Sequence, residues 1–262
     1  MYSKEDLQRQ MEQLGILPWD TLLVHSSMKA IGPVEGGADT VLDAFCEYLK
    51  DGLLVLPTHT WEQINEEYNI FDVENEPSCV GLLTNLFRKR PGVVRSWHPT
   101  HSLAAYGRDA QEFAQGEERF DTPCPRQGCY GKLYDRRAKV LFLGVPLTRN
   151  TLIHAVEEWA GIPNRISSIH QPLKIRTPDG RLLERPMRRH RAPIRNISGN
   201  YGKLTEPLLE LGIAVKGSIG AAESILVEVV PMVDLTLEFL RRNPDLFLDN
   251  APVPREWYAQ EG

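Results

Sequence analysis

The sequence predicts an α/β fold: a three-layer α/β/α arrangement around a mixed, partly parallel sheet, with an added β-hairpin region near 171–187. Three observations carry this reading. Nearly continuous apolar runs recur as Thr21-Leu22-Leu23-Val24-His25, Leu53-Leu54-Val55-Leu56 and Val140-Leu141-Phe142-Leu143-Gly144-Val145, the pattern of strands covered on both faces. The first two runs are separated by a glycine-bearing loop and a helical stretch, the βαβ order of a parallel sheet with a right-handed crossover. A Pro178-Asp179-Gly180 turn between Leu173-Lys174-Ile175-Arg176-Thr177 and Leu182-Leu183 then departs from that order and signals a hairpin. No internal repeat, low-complexity run or linker interrupts the chain, so residues 1–262 read as one domain.

Taken in order, the first helix runs from Ser3 to Leu14, with Ser3 as N-cap and Leu7, Met11 and Leu14 at helical spacing. The first strand ends in Ser26-Ser27. A loop with Gly32, Pro33, Gly36 and Gly37 precedes a helix from about Asp39 to Leu49, and the second strand leads into Pro57-Thr58-His59-Thr60-Trp61. Residues 62–76 form a polar loop with six carboxylates and no Lys or Arg. A helix from Val80 to Arg90, a short strand Val93–Ser96 and a long loop Gly116–Gly131 follow. After the 140–145 strand comes a helix capped by Asn150 or Thr151. The tail alternates a helix (Tyr201–Leu211), two strands (Ala214–Ile219, Ser224–Val230) and a helix (Met232–Arg242).

With 42% hydrophobic and 25% charged residues, this is the composition of an ordinary globular protein. A net charge of −5 argues against a nucleic-acid partner. The amino terminus lacks the apolar core of a signal peptide, and no run approaches the roughly 20 apolar residues that span a bilayer. The expected location is the cytoplasm, without a membrane partner, as monomer or homodimer. Four cysteines suit a reducing compartment. Cys124 and Cys129 lack the second close pair that a structural zinc site needs, so no metal is expected.

The chemistry concentrates in Asn150-Thr151-Leu152-Ile153-His154-Ala155-Val156-Glu157-Glu158. It sets an imidazole in the opening turns of a helix beside the carboxyl end of a strand, where open α/β sheets gather their ligands. Glu157 or Glu158 would share the helix face of His154 and orient it, making a unit suited to general-base work. Gly36-Gly37, between strand end and helix start, allows backbone N–H groups to approach a phosphate, with Ser26 and Ser27 within reach; it equally well makes only a tight turn. His98-Pro99-Thr100-His101-Ser102 reads as a pocket wall, as imidazoles satisfied by loop backbone, or as part of a metal site. Residues 181–195 carry six arginines and one glutamate. They suit either a solvated edge strand or recognition of an acidic group. The acidic 62–76 loop points to the opposite, cationic ligand.

In order along the chain, Leu23-Val24-His25-Ser26-Ser27, Gly36-Gly37, Leu56-Pro57-Thr58, Arg95-Ser96-Trp97-His98-Pro99, the 139–145 strand and above all Asn150-Thr151-x-x-His154-x-x-Glu157 resemble the aminoglycoside 3-N-acetyltransferase family, from about Thr21 to Leu248. The resemblance implies acetyl-coenzyme A as cosubstrate and direct transfer to a small-molecule amine in a ternary complex. It implies His154 as general base with Glu157 as its partner. It also implies Ser26, Ser27, Gly36, Gly37 and Arg95 around the coenzyme. Beside what the resemblance implies, Ser102 is a further candidate there, and Thr60, His101, Thr151, Arg189 and His190 are the candidates toward the acceptor. Thr60, Thr151 and Ser102 are the candidate donors to the thioester oxygen.

One departure stands out. Where family members usually present acids to substrate amines, this chain has Arg185-Pro186-Met187-Arg188-Arg189-His190-Arg191. Like charges would repel a polycation, so the expected acceptor is an amine on a neutral or anionic scaffold. An aminoglycoside 3-N-acetyltransferase conferring resistance is the alternative. A metal-dependent hydrolase built on His98, His101 and His154, and a binding protein that has lost catalysis, are the competing classes.

Overall fold

The computed structural model describes residues 1–259. The strands are β1 (Thr21–Ser26), β2 (Leu53–Pro57), β3 (Ile70–Asp72), β4 (Val94–Arg95), β5 (Leu103–Gly107), β6 (Lys139–Leu143), β7 (Lys174–Arg176), β8 (Leu182–Glu184), β9 (Ala214–Ile219) and β10 (Ala222–Glu228). The helices are α1 (Lys4–Gln13), α2 (Met28–Ile31), α3 (Gly37–Tyr48), α4 (Leu82–Phe87), α5 (Ala110–Ala114), α6 (Cys129–Asp135), α7 (Thr151–Trp159), α8 (Thr205–Glu210) and α9 (Val229–Arg242), with short 3-10 turns between some of them.

The main sheet has the order β4-β5-β2-β1-β6-β10-β9. Its centre, β2-β1-β6, is parallel, and the flanking strands run antiparallel. Alternating side chains supply both faces, as a strand's period of two requires. Leu22, Val24, Leu54 and Leu56 pack with α1, α3 and α4 on one side. Leu23, Val55, Val140 and Phe142 pack with α6, α7 and α9 on the other. The three-layer α/β/α architecture is therefore as the apolar runs predict. The hairpin forms β7-β8, and β3 joins it in parallel to make a separate three-stranded sheet. That sheet has its own core of Ile64, Phe71, Val73, Leu173, Ile175 and Met187.

Several boundaries differ from the sequence reading. Ser3 caps α1 as expected and closes a capping box with Asp6. The helix expected from Val80 to Arg90 is only Leu82–Phe87, because Gly81 enters it at φ 130°. The stretch expected as loop from Gly116 to Gly131 yields the start of α6. Strand β5 carries no clear signal in the sequence. Its Leu103-Ala104-Ala105-Tyr106-Gly107 lacks β-branched residues, and pairing with β2 decides the matter. Among the described residues, no helix is long and apolar enough to cross a membrane.

Strand β1 sends its connection toward β2 on one side and pairs with β6 on the other, so the order reverses at the β1–β6 boundary. Ligands of open α/β sheets bind outside the strand carboxyl ends at such a point. Here those ends carry Ser26, Ser27 and the 144–150 connection into α7.

Candidate active site

A cavity of about 1100 Å³ opens at that point. Its floor is His25, Ser26, Ser27 and the start of α7, Asn150, Thr151 and His154. His59 and His101 form one wall, and the 189–198 segment roofs it with Arg189, His190 and Arg191. A shallower concavity of about 850 Å³ around Lys203, Glu206, Glu210 and Lys216 holds no imidazole.

Asn150 is the cap of α7: its side chain accepts from the Leu152 backbone N–H at 3.1 Å. That fixes the helix start and so aims His154, one turn in, at the cavity. The Nδ1 atom of His154 lies 2.6 Å from the Tyr201 hydroxyl, which in turn donates to Glu157 Oε2 at 2.6 Å. Glu157 is thus behind His154, as the resemblance implies, but its closest oxygen is 3.8 Å from Nδ1. The carboxylate reaches the ring through a phenol rather than directly. Its other oxygen takes a 2.5 Å bond from Arg165 Nε. A single hydroxyl proton given to Glu157 leaves the Tyr201 oxygen to accept from Nδ1–H, which puts the lone pair of a neutral ring on Nε2. Nε2 has no protein partner and faces the cavity.

Burial, with Arg165 adding repulsion, lowers the His154 pKa to about 4. The side chain keeps 22% exposure along its cavity edge, so it is neutral near pH 7 and still accessible. Glu157 is fully buried, and its pKa is raised by desolvation against the opposing pull of Tyr201 and Arg165. Glu158 instead accepts from the Cys124 backbone N–H at 3.0 Å and does not serve His154.

The cavity gathers imidazoles. His190 stacks on His154 with centroids 4.6 Å apart, and His101 meets His190 edge-on at 4.9 Å. His59 lies 5.0 Å from His101 and bonds the Tyr130 hydroxyl at 2.7 Å. His98 sits deeper, with Nε2 2.9 Å from the Thr122 carbonyl and Nδ1 accepting from the Thr100 and His101 backbone N–H groups. Both its nitrogens are occupied by peptide groups, so His98 supports the loop and cannot join a metal site with His101 and His154. Among the described residues no group of three His, Cys, Asp or Glu side chains could hold a metal ion.

Of the expected site residues, Ser26, Ser27, His101, Thr151, His154, Arg189 and His190 line this cavity. Others do not. Gly36 and Gly37, at the start of α3, are not among its lining residues, and Gly37 N bonds the Val34 carbonyl in an ordinary tight turn. Arg95 turns inward: its guanidinium donates to the carbonyls of Thr58, Val73 and Glu76, and burial lowers its pKa to about 9. It ties the main sheet to the β3 segment instead of meeting a phosphate. Ser102 bonds Thr58 O at 2.8 Å and Thr60 bonds Pro99 O at 2.5 Å, both fully buried. Only Thr151 remains of the three candidate donors to a thioester oxygen.

Tyr201, Arg165, His25, His59, Lys29 and Arg149 were missed from sequence. His25 had a signal, as the polar end of a buried strand; its ring stacks on Phe142 at 5.5 Å. Tyr201 had none, lying 44 residues from Glu157, and Arg165 meets Glu157 only because the chain turns back after α7. The arginine-rich segment splits by role. Arg181 pairs with Asp179 and Arg188 with Asp121. Arg189 donates to the Trp61 and Ile64 carbonyls, holding the roof to the 61–64 turn.

The comparisons with known proteins agree with this fold. A family model described as aminoglycoside 3-N-acetyltransferase matches residues 23–241. The chain is similar to aminoglycoside N(3)-acetyltransferase VII of Streptomyces paromomycinus, at 29% identity over 89% of this chain and 90% of that protein. It is similar to the solved structure of AAC-IIIb in a binary complex with CoASH, with a TM-score of 0.80, 26% identity and coverage of 96% and 99% of the two chains. It is also similar to a mutant of aminoglycoside acetyltransferase AAC(3)-IVa in complex with a gentamicin, with a TM-score of 0.82, 26% identity and coverage of 97% and 93%.

Proposed function

The chain belongs to the aminoglycoside 3-N-acetyltransferase family, and from that premise we propose that it transfers an acetyl group from acetyl-coenzyme A to a primary amine of a small molecule, with His154 as general base. It is an acyltransferase. The observation that carries the mechanism is the cavity-facing Nε2 of His154, held by the Tyr201–Glu157 pair.

The cavity suits the cosubstrate. Ser26 and Ser27 offer hydroxyls, Lys29 and Arg149 offer charge for phosphate oxygens, and the α7 amino terminus adds N–H groups. Bound there, the coenzyme supplies an acetyl thioester, a carbonyl activated toward amines. The amine attacks the carbonyl carbon and the C–S bond breaks as the C–N bond forms. His154 Nε2 takes the proton the nitrogen must lose and returns it to the departing sulfur, so the products are an amide and a thiol. The imidazolium formed in passing is stabilised by Glu157 through the Tyr201 hydroxyl. Thr151, at the helix amino terminus, is the donor to the developing oxyanion.

The names of the relatives support an aminoglycoside amine as acceptor better than they support the neutral or anionic scaffold expected from the sequence. The test is thiol release from acetyl-coenzyme A across cationic, neutral and anionic amines. Release dependent on an amine supports the reading, and none with any amine removes it.

A further inference from the structure

The charges around the cavity are one-sided. Lys29, Arg149, Arg189 and Arg191 line it, and no Asp or Glu among the described residues does. Nearby carboxylates are engaged elsewhere. Glu157 is held by Arg165 and Tyr201, Glu158 by the Cys124 backbone, and Asp121 by Arg188 and His170. The acidic 62–76 loop does not compensate: Glu62, Glu66, Glu67 and Glu74 are exposed and outside the lining. In the same loop Asp72 pairs with Arg176, and buried Glu76 bonds Gln63 and Tyr68.

With the coenzyme's phosphates on Lys29 and Arg149, the lining left to an acceptor offers Arg189 and Arg191 and no carboxylate among the described residues, so a polycation entering it would give up water and gain no ion pair from the chain. The four cations do not all have the same freedom. Arg189 is held by two carbonyls, and Lys29 and Arg149 stand beside the serines at the strand ends. Arg191, on the roof next to His190, is exposed and has no ion-pair partner among the described residues.

Resting on the acetyltransferase reading above, we propose that the acceptor is a primary amine on a scaffold with no further positive charge, neutral or anionic, and that Arg191 reads an anionic group on it. The test compares kcat/KM at fixed acetyl-coenzyme A for glucosamine 6-phosphate, glucosamine and kanamycin, in the wild type and in Arg191→Glu. The wild type should prefer the phosphorylated amine to kanamycin by about tenfold or more, with glucosamine between. Arg191→Glu should erase the advantage of the phosphorylated over the plain amino sugar without changing KM for acetyl-coenzyme A. Kanamycin as the best wild-type acceptor overturns the proposal while leaving acetyl transfer intact. Thiol release with none of the three overturns both. An unchanged order in Arg191→Glu, or a raised KM for acetyl-coenzyme A, overturns the assignment to Arg191.

Discussion

The Tyr201 hydroxyl sits 2.6 Å from His154 Nδ1, interposed between the imidazole and the Glu157 carboxylate. One proton on that oxygen decides the tautomer of the ring, and through it which nitrogen is free to act. Under the proposed general-base role, the buried carboxylate is placed to steady a positive charge on the ring without touching it.

Tyr201→Phe keeps the packing of the ring against Phe247 (4.9 Å between centroids) but removes this link. Turnover should fall about tenfold to a hundredfold, with little change in coenzyme affinity. Steady-state kinetics with the best acceptor, beside a coenzyme-binding titration, provide the check. Unaltered turnover would mean that the hydroxyl plays no part.

His154→Ala should lower turnover by about a hundredfold or more and leave acetyl-coenzyme A affinity nearly intact. If the variant retains turnover, the base lies elsewhere, and His101 or His190, both lining the same cavity, is next to be replaced.

Arg165 and Glu157 form an ion pair with side chains 4% and 1% exposed. Arg165→Ala leaves the carboxylate buried without its cation, which should cost about 3–5 kcal/mol, measurable as a lower urea midpoint. The double variant Arg165→Ala/Glu157→Gln should recover part of that loss. Equal stability of the single variant and the wild type would contradict the pairing.

Stability should fall steeply as pH drops from 6.5 toward 4. Burial lowers the pKa of His25, His98 and His154 to about 4, and those of His59, His101 and His190 well below 6.5. In that window the unfolded chain binds protons that the folded one refuses, and each such imidazole removes up to about 1.4 kcal/mol per pH unit. Glu117, raised to about 7 by burial, acts in the opposite sense between 4.5 and 7, as do Glu157 and Glu158 in their raised direction. Six imidazoles outweigh three carboxyls. Thermal melts across pH 4–7 check this, and a flat profile would argue against neutral burial of the cluster.

Much of the architecture is legible in short windows of sequence. The central strands follow from runs such as Leu53-Leu54-Val55-Leu56, the hairpin from Pro178-Asp179-Gly180, and the α7 start from an Asn cap one turn before a histidine. Strand β5 escapes because two alanines carry little β preference, so its state is chosen by the neighbour it pairs with. The site divides the same way. Ser26, Ser27, Thr151 and His154 are found because strand ends and helix starts are local features that the fold places at one sheet edge. Arg95 and Gly36 look equally suited to a phosphate, and nothing near them in sequence tells of carbonyls waiting inside or of a turn that stays out of the cavity lining.

By itself, the sequence determined the layered α/β fold, the helix that carries His154, and Glu157 one turn behind it. These rest on periodicity, capping and turn chemistry, which act over a few residues. Tertiary structure alone decided that Tyr201, 44 residues from Glu157, would stand between Glu157 and His154. It also decided that one arginine would turn inward, another strap the roof, and Arg191 stay at the cavity with no ion-pair partner among the described residues. Those outcomes depend on which side chains desolvate together when distant elements pack, and burial sets both their partners and their charge.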